Sequence, residues 1–321
     1  MTAFRHEALV YTHATPYAMA VADFVERGVA AGEPTLVAVP AYNIELIRQR
    51  LGEKSRELTR FVDMQVAGRN PNRIIPWVLR AFLDEHRGLR CRIVGEPIWP
   101  GRAPEEVPIA VQHEALINRA FAGRDATILC PYDASGLSPA VLALAGRTHP
   151  LVAVGSGPAQ PNATYADPDV VVASLNHPLP GQSIPYDQMT FDLARLGEVR
   201  RMVAMHGELA GLTAQQVAAL QIAVHEVATN TLEHGGGGGE LRIWQQPDRV
   251  ICEIRGPGHI SDWLAGRLMP PEESVRGRGL LVANRLCDLV ETHTHPTSTT
   301  TRLHMLNNAG PTRPGAWPGR G

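Results

Sequence analysis

Lysine occurs once in this chain, as Lys54, so arginine carries nearly all of the positive charge. Any clamp for phosphate or carboxylate must therefore use arginine, histidine or backbone N–H groups. The formal net charge is −2, which leaves no electrostatic footprint for nucleic acid. The four cysteines, Cys91, Cys130, Cys252 and Cys287, form no C-x-x-C pair and sit in or beside apolar runs, as buried free thiols do. No run of about 18 apolar residues exists, which excludes a membrane-spanning helix. The opening Met-Thr-Ala-Phe-Arg-His-Glu has no apolar signal core, so the expected location is the cytoplasm. A G-x-x-x-x-G-K-[ST] motif is also missing, and Lys54 stands in the wrong context for one, so P-loop hydrolysis is not expected. The thirteen histidines show no recognisable metal motif.

What is present fits a globular protein of 321 residues with 44% hydrophobic content, long enough for two domains. Over residues 1–150, short β-like runs alternate with amphipathic helices. Runs at 7–11, 35–39, 60–64, 89–94 and 126–130 read as strands. Helices are expected over 15–31, from Pro40 to Arg50, from Asn70-Pro71 to His86, over 104–122 and after Ser138. This alternation implies right-handed βαβ units and a doubly wound, mostly parallel sheet. Its strand ends carry Tyr11 and His13, Gly95 and Glu96, and Tyr132 and Asp133. That is where a small-molecule sensing pocket is expected in such a sheet. His113 and Glu114 read as surface or packing residues of a helix rather than as a metal site.

Residues 151–188 are dense in proline and read as a linker that cannot hold a long helix. A second domain is expected over 189–307, and the Pro- and Gly-rich stretch 308–321 reads as a disordered tail. The second domain has a helix over 196–210 and a Thr213-x-x-Gln216 capping box that opens another. That second helix places Val217, Leu220, Val224 and Val227 on one apolar stripe and Glu226, Asn230 and His234 on a different one. Gly235 to Gly239 end it. A hairpin over Pro247-Asp248, a helix over 279–289 and a second hairpin complete an α+β sandwich.

Two segments carry chemistry. Asn230 can give Mg²⁺ an amide oxygen, and Glu226, one turn earlier, can take a proton from an attacking hydroxyl. Gly277 and Gly279 can bring backbone N–H groups against phosphate where a helix begins near Leu280, with Arg276 and Arg278 adding charge. Thr299 and Thr300 offer hydroxyls.

On the residues Glu226, Asn230, His234-Gly235, Gly277-Arg278-Gly279-Leu280 and Thr299-Thr300, the stretch 190–306 resembles the GHKL superfamily. The likeness is nearest to the anti-sigma-factor serine kinases. It implies an ATP and Mg²⁺ site with Asn230 as the metal ligand and Glu226 as the base. It also implies a sigma factor or an anti-anti-sigma protein as partner, and a homodimer. The closing strand reads Thr297-Ser298-Thr299-Thr300 where the family has Gly-Gly-Thr-Thr. The family's Asp-x-Gly-x-Gly adenine box is replaced by Arg255-Gly256-Pro257-Gly258-His259. The family's Asp falls on Gly256 if Gly258 is its first glycine, or on Ile254 if Gly256 is. Neither is acidic. The loss of a charge-assisted hydrogen bond costs about 1.5–3 kcal/mol. Asp262 could substitute. The alternative is a non-catalytic partner-switching module. A sensor histidine kinase with His225 as phosphoacceptor fits poorly, because His225 lies inside the helix of the site and no heptad repeat precedes it.

Residues 4–150 resemble a MEDS sensory domain through His6-Glu-Ala-Leu-Val-Tyr11, Gly32 to Pro40, Gly95-Glu96-Pro97-Ile-Trp99, His113 to Asn118 and Cys130-Pro131-Tyr132-Asp133. That likeness implies a RecA-like fold and a sensed ligand.

Overall fold

The structure, a computed structural model, describes residues 4–155, 157–270 and 277–307. The expected tail over 308–321 and Arg276 lie outside the described residues. The chain divides into two compact units, Met1–Leu175 and Asn176–Gly321.

The first unit contains, in chain order, β1 (Arg5–Tyr11), α1 (Ala14–Ala30), β2 (Thr35–Val39), α2 (Ala41–Arg48), α3 (Glu53–Leu58), β3 (Thr59–Asp63) and α4 (Met64–Ala67). A 3₁₀ turn over Pro71–Arg73 and a π-helical stretch over Ile74–Leu79 lead into α5 (Arg80–Glu85). Then come β4 (Cys91–Gly95), α6 (Val107–Ala120), β5 (Ala126–Asp133), α7 (Pro139–Thr148), β6 (Leu151–Val154), β7 (Gln160–Pro161) and α8 (Pro168–Ser174). The sheet order is β3-β2-β4-β5-β1-β6-β7, parallel except at β7.

Strand alternation gives this sheet two apolar faces. Leu9, Tyr11, Val37, Val39, Val94 and Leu129 pack with Tyr17, Val21 and Val25 of α1. The residues of opposite parity, such as His6, Ala8, Ile93, Ile128 and Cys130, are equally buried on the other face. The single helix expected from Asn70 to His86 is wound in three different ways. Pro76 has no N–H to give to an α-helical ladder, and the irregular turns surround it. Residues 151–175 are not a linker in this structure. β6 pairs with β1 along Glu7–Val10, and Val171 and Val172 of α8 are fully buried. The prolines confine this span to short elements, and Pro168 sits in the first turn of α8, where its missing N–H costs nothing.

The second unit contains β8 (Asp187–Phe191), α9 (Leu196–Leu209), α10 (Ala214–Gly235), β9 (Gly239–Gln246), β10 (Arg249–Pro257), α11 (Gly279–Leu286), β11 (Leu289–His295) and β12 (Ser298–Leu306). Its antiparallel sheet runs β11-β12-β10-β9-β8. One face, with Leu241, Ile243, Val250, Cys252, Ile254, Leu303 and Met305, forms a core with Val199, Val203, Val217, Leu220, Val224, Val227 and Ala283 of the helices. The capping box is formed, with Gln216 N donating to Thr213 Oγ1 at 3.3 Å and Thr213 N donating to Gln216 Oε1 at 3.0 Å. Such a cap contributes about 1 kcal/mol. Gln216 Nε2 also donates to Leu306 O at 2.6 Å, which ties the start of α10 to the end of β12.

Candidate functional site

The second unit has a cleft of about 280 Å³. Its walls are the C-terminal half of α10, the end of β10, the segment 258–266, the start of α11 and β12. α10 reaches the cleft because its apolar stripe is buried on the sheet, which turns Asn230, Thr231 and His234 toward the opening. At the far wall Gly277 adopts φ +88°, and α11 begins at Gly279. Gly279 is buried hard against Asn230: a Cβ there would lie 2.4 Å from Asn230 Nδ2. The amide of Asn230 therefore sits beside the first backbone turn of α11. An oxygen ligand for a cation and unsatisfied helix N–H groups for an anion are brought to one place.

Of the residues expected from sequence, Asn230, His234, Gly258, Gly277, Leu280 and Thr299 line the cleft. Gly279 abuts Asn230 without lining it. Arg278 is exposed at the N-cap of α11 and is not in the lining. Glu226 is half-buried on α10, one turn before Asn230, and also outside the lining. Thr300 has the wrong parity: it pairs with Arg255 and His293, whereas Thr299 and Thr301 share the cleft face of β12. The alternation of the strand was the signal for Thr301, and the resemblance to a Thr-Thr pair obscured it. Thr299 is committed elsewhere, because its hydroxyl donates to Gly258 O at 3.1 Å. With Thr294 Oγ1, which accepts from Ile260 N at 2.9 Å, it pins the segment after β10. Thr301 is the buried threonine left to face a bound molecule.

The end of the cleft where sequence placed the adenine box also differs from the expectation. Gly256 is outside the lining, because Thr231 stands in front of it: a Cβ on Gly256 would lie 2.1 Å from Thr231 Cγ2. Thr231 is held there by its hydroxyl, which donates to Val227 O at 2.9 Å. No acid can be added at 256 without moving Thr231. Ile254 is buried in the core and faces the helices. Asp262 is the carboxylate that does line the cleft, with Oδ1 accepting from Leu264 N at 3.0 Å. Gly266, at φ +72°, and Asn284, which donates from Nδ2 to Gly266 O at 2.9 Å, fasten that wall to α11.

In the first unit, the strand-end residues divide between the two faces of the sheet. β2 leads away to β3 on one side and β4 leads to β5 on the other, so the strand order reverses between β2 and β4. Ligands bind at such a point in open α/β sheets. Glu96 follows β4 there and Asn43 lies in α2, just after β2. Asn43 Nδ2 donates to both Glu96 oxygens at 3.1 and 2.9 Å. Tyr17 and Tyr11 also donate to Glu96, at 3.0 and 3.4 Å. Burial pushes the Glu96 carboxyl up to about 8, against the pull of these three donors. Burial and the nearby Glu96 and Asp133 push the Tyr42 phenol up to about 12. Asp133 is opposite Tyr11 in the β1–β5 register, on this face.

Two expected members are elsewhere. His13 is exposed at the N-cap of α1. Tyr132 has the opposite parity to Asp133 and lies buried on the other face, edge-on to His149 with ring centroids 5.4 Å apart. Gly95 is buried as the last residue of β4. Of the two expectations for His113 and Glu114, surface or packing, the structure shows the second: both are buried on α6, and Glu114 faces His6.

Residues 5–150 match the family model for the MEthanogen/methylotroph, DcmR sensory domain (MEDS), and residues 189–305 match that for the histidine kinase-like ATPase domain. No curated protein matches the chain. Among solved structures, the crystal structure of the RsbU and RsbW domains of Rv1364c from Mycobacterium tuberculosis aligns with 19% identity and a TM-score of 0.30. It covers 38% of this chain, and the match spans 33% of that structure. No helix among the described residues is long and apolar enough to cross a membrane. The chain thus joins an N-terminal MEDS domain to a C-terminal domain of the histidine kinase-like ATPase family.

Proposed function

We propose that this protein is a cytoplasmic sensor-regulator of the anti-sigma-factor type. The second unit binds ATP with Mg²⁺ in the cleft between α10 and α11 and engages a sigma factor or its antagonist. The first unit responds to a small molecule at the strand ends around Glu96. The observation that carries this reading is the close packing of Gly279 on Asn230, which sets an amide oxygen beside the opening turn of a helix. Asn230 would hold Mg²⁺, and the N–H groups from Gly277 to Leu280 would hold phosphate. Thr301 and Asp262 would face the adenine.

In the catalytic form of this proposal, a serine hydroxyl of the antagonist attacks the γ-phosphorus of ATP. The new O–P bond forms as the bond to ADP breaks, and Glu226 takes the hydroxyl proton. The test is transfer of labelled γ-phosphate to serine in an anti-anti-sigma protein, using the full chain. Transfer should fall at least about a hundredfold in Glu226→Gln, in line with the loss of a general base. Equal transfer by the variant would remove Glu226 from the mechanism.

A second reading, a partner-switching module without phosphoryl transfer, is favoured by one specific observation. Thr231 fills the space in front of Gly256, and Ile254 is buried in the core, so neither position open to the adenine acid has room for one. Binding of ATP without any transfer to serine would support this module.

A further inference from the structure

Four side chains remote in sequence meet on the face of the first sheet opposite Glu96. His6 comes from β1, Glu114 from α6, Cys130 from β5 and His149 from the turn between α7 and β6. All four are buried, none more than 1% exposed. One ligand-type atom from each lies within 4.8 Å of all the others. His6 Nε2 is 3.1 Å from Glu114 Oε2 and 3.3 Å from Cys130 Sγ, and His149 Nε2 is 3.3 Å from the same Glu114 oxygen.

The hydrogen bonds behind the rings fix what these atoms present. Asn118 donates its amide to Thr148 O and Ala115 O, so its Oδ1 is turned to His6 and accepts from Nδ1–H at 3.1 Å. His149 Nδ1 lies 2.9 Å from Ala145 O and 2.8 Å from Thr148 Oγ1, so it carries the hydrogen when the Thr148 hydroxyl is turned to Ala145 O, 2.9 Å away. With that tautomer both neutral imidazoles aim the lone pair of Nε2 at a carboxylate oxygen. His149 Nε2 and Glu114 Oε1 make no hydrogen bond. Acceptors pointed at one another in a dry core are repulsive unless a proton or a metal cation lies between them.

We propose that His6, Glu114, Cys130 and His149 form a closed four-ligand site for a divalent cation of the zinc class. Two imidazole nitrogens, a carboxylate oxygen and a thiolate are a donor set that tetrahedral zinc takes, and the burial of all four leaves no open position. In a tetrahedron, nitrogen and oxygen ligands about 2.0–2.1 Å from zinc lie about 3.3 Å apart and a sulfur at about 2.3 Å lies about 3.6 Å from them, near the 3.1, 3.3 and 3.3 Å edges given above. On binding, the Cys130 thiol releases its proton to solvent as the metal–sulfur bond forms. The thiolate and the carboxylate then balance the two positive charges inside the core. Nδ1 bonds from Asn118 and Ala145 orient the two rings, as partners behind metal-bound histidines do. The site ties β1, β5, α6 and the end of α7 together, so it links the strand carrying Tyr11 to the turn that leads into β6.

The test is a titration of the chelator-treated full chain with Co²⁺, read by absorbance, and with Zn²⁺, read by elemental analysis after desalting. One Co²⁺ per chain with a thiolate-to-metal charge-transfer band is expected. Cys130→Ser should abolish the band, while Cys91→Ser, on a different strand, should retain it. Asn118→Ala keeps all four ligands and should weaken binding about ten- to a hundredfold. Circular dichroism on each variant separates lost metal from lost fold. If Cys130→Ser unfolds, protection of the Cys130 thiol from alkylation by added Zn²⁺ in the unmodified chain carries the same information. No stoichiometric metal, a bound Co²⁺ without the band, or alkylation of Cys130 unaffected by Zn²⁺ would overturn the proposal.

Discussion

The methyl group of Thr231 occupies the space into which any side chain at Gly256 would grow, 2.1 Å from where its Cβ would lie. In one of the two registers of the adenine box the family's Asp falls on Gly256, and in that register the two residues must be changed together. Gly256→Asp alone should destabilise the second unit by about 1–3 kcal/mol through overpacking, with no gain in ATP affinity. The pair Gly256→Asp and Thr231→Ala should fold and bind ATP about ten- to a hundredfold more tightly than the parent. Thermal melts and calorimetry on both variants measure this. A single Gly256→Asp that binds ATP more tightly would contradict the steric account.

Gly279→Ala tests the other end of the cleft. Its methyl would meet Asn230 Nδ2 at 2.4 Å, and the amide would have to swing away from α11. A fall in ATP–Mg²⁺ affinity of about tenfold, worth about 1.4 kcal/mol, is expected with little change in melting temperature. Unchanged affinity would show that the packing of Asn230 on α11 does not position the cation.

Glu96 makes the first unit sensitive to pH. Its folded-state carboxyl is raised to about 8 from 4.5, chiefly by burial. The folded state therefore holds a proton that the unfolded state has released. Stability is highest below about pH 4.5 with respect to this group and declines as pH rises through about 8. Glu96→Gln should flatten this part of the stability profile between pH 5 and about 8.5, as urea melts of the two proteins would reveal. A slope that persists in the variant would assign the pH response to another group.

Glu253 and Arg302 face each other across β10 and β12, on the side of the sheet away from the helices. Arg302 Nη2 lies 2.6 Å from Glu253 Oε2, and both side chains are buried. Glu253→Ala leaves Arg302 with Pro180 O at 2.9 Å and Glu291 at 4.0 Å as its remaining partners, so it should cost about 3 kcal/mol in a denaturant titration. A cost below about 1 kcal/mol would indicate that water reaches Arg302.

Much of this was legible in the sequence because it depends on period and punctuation. The alternation of strands and helices, the Thr213–Gln216 cap and the apolar stripe from Val217 to Val227 are local patterns, and each is present. Features that depend on parity or long-range register were not legible. Tyr132 and Asp133 are neighbours in sequence, yet they fall on opposite faces of the sheet. Thr301 lines the cleft in place of Thr300 for the same reason. Thr231 gave no signal as an obstacle to Gly256, since they meet only after α10 folds onto β10. The proline density of 151–188 read as a linker, but prolines at element starts are compatible with β6 and α8. His6, Glu114, Cys130 and His149 are spaced too irregularly for any motif, and they meet only once α6 and the turn after α7 are folded against the β1–β5 pair.

Calorimetry of the full chain with ATP and Mg²⁺ tests the central claim most directly. The account predicts binding with a Kd below about 1 mM, weakened at least about tenfold in Asn230→Ala. No heat from the unaltered chain, or equal affinity in the variant, would contradict a nucleotide site between α10 and α11.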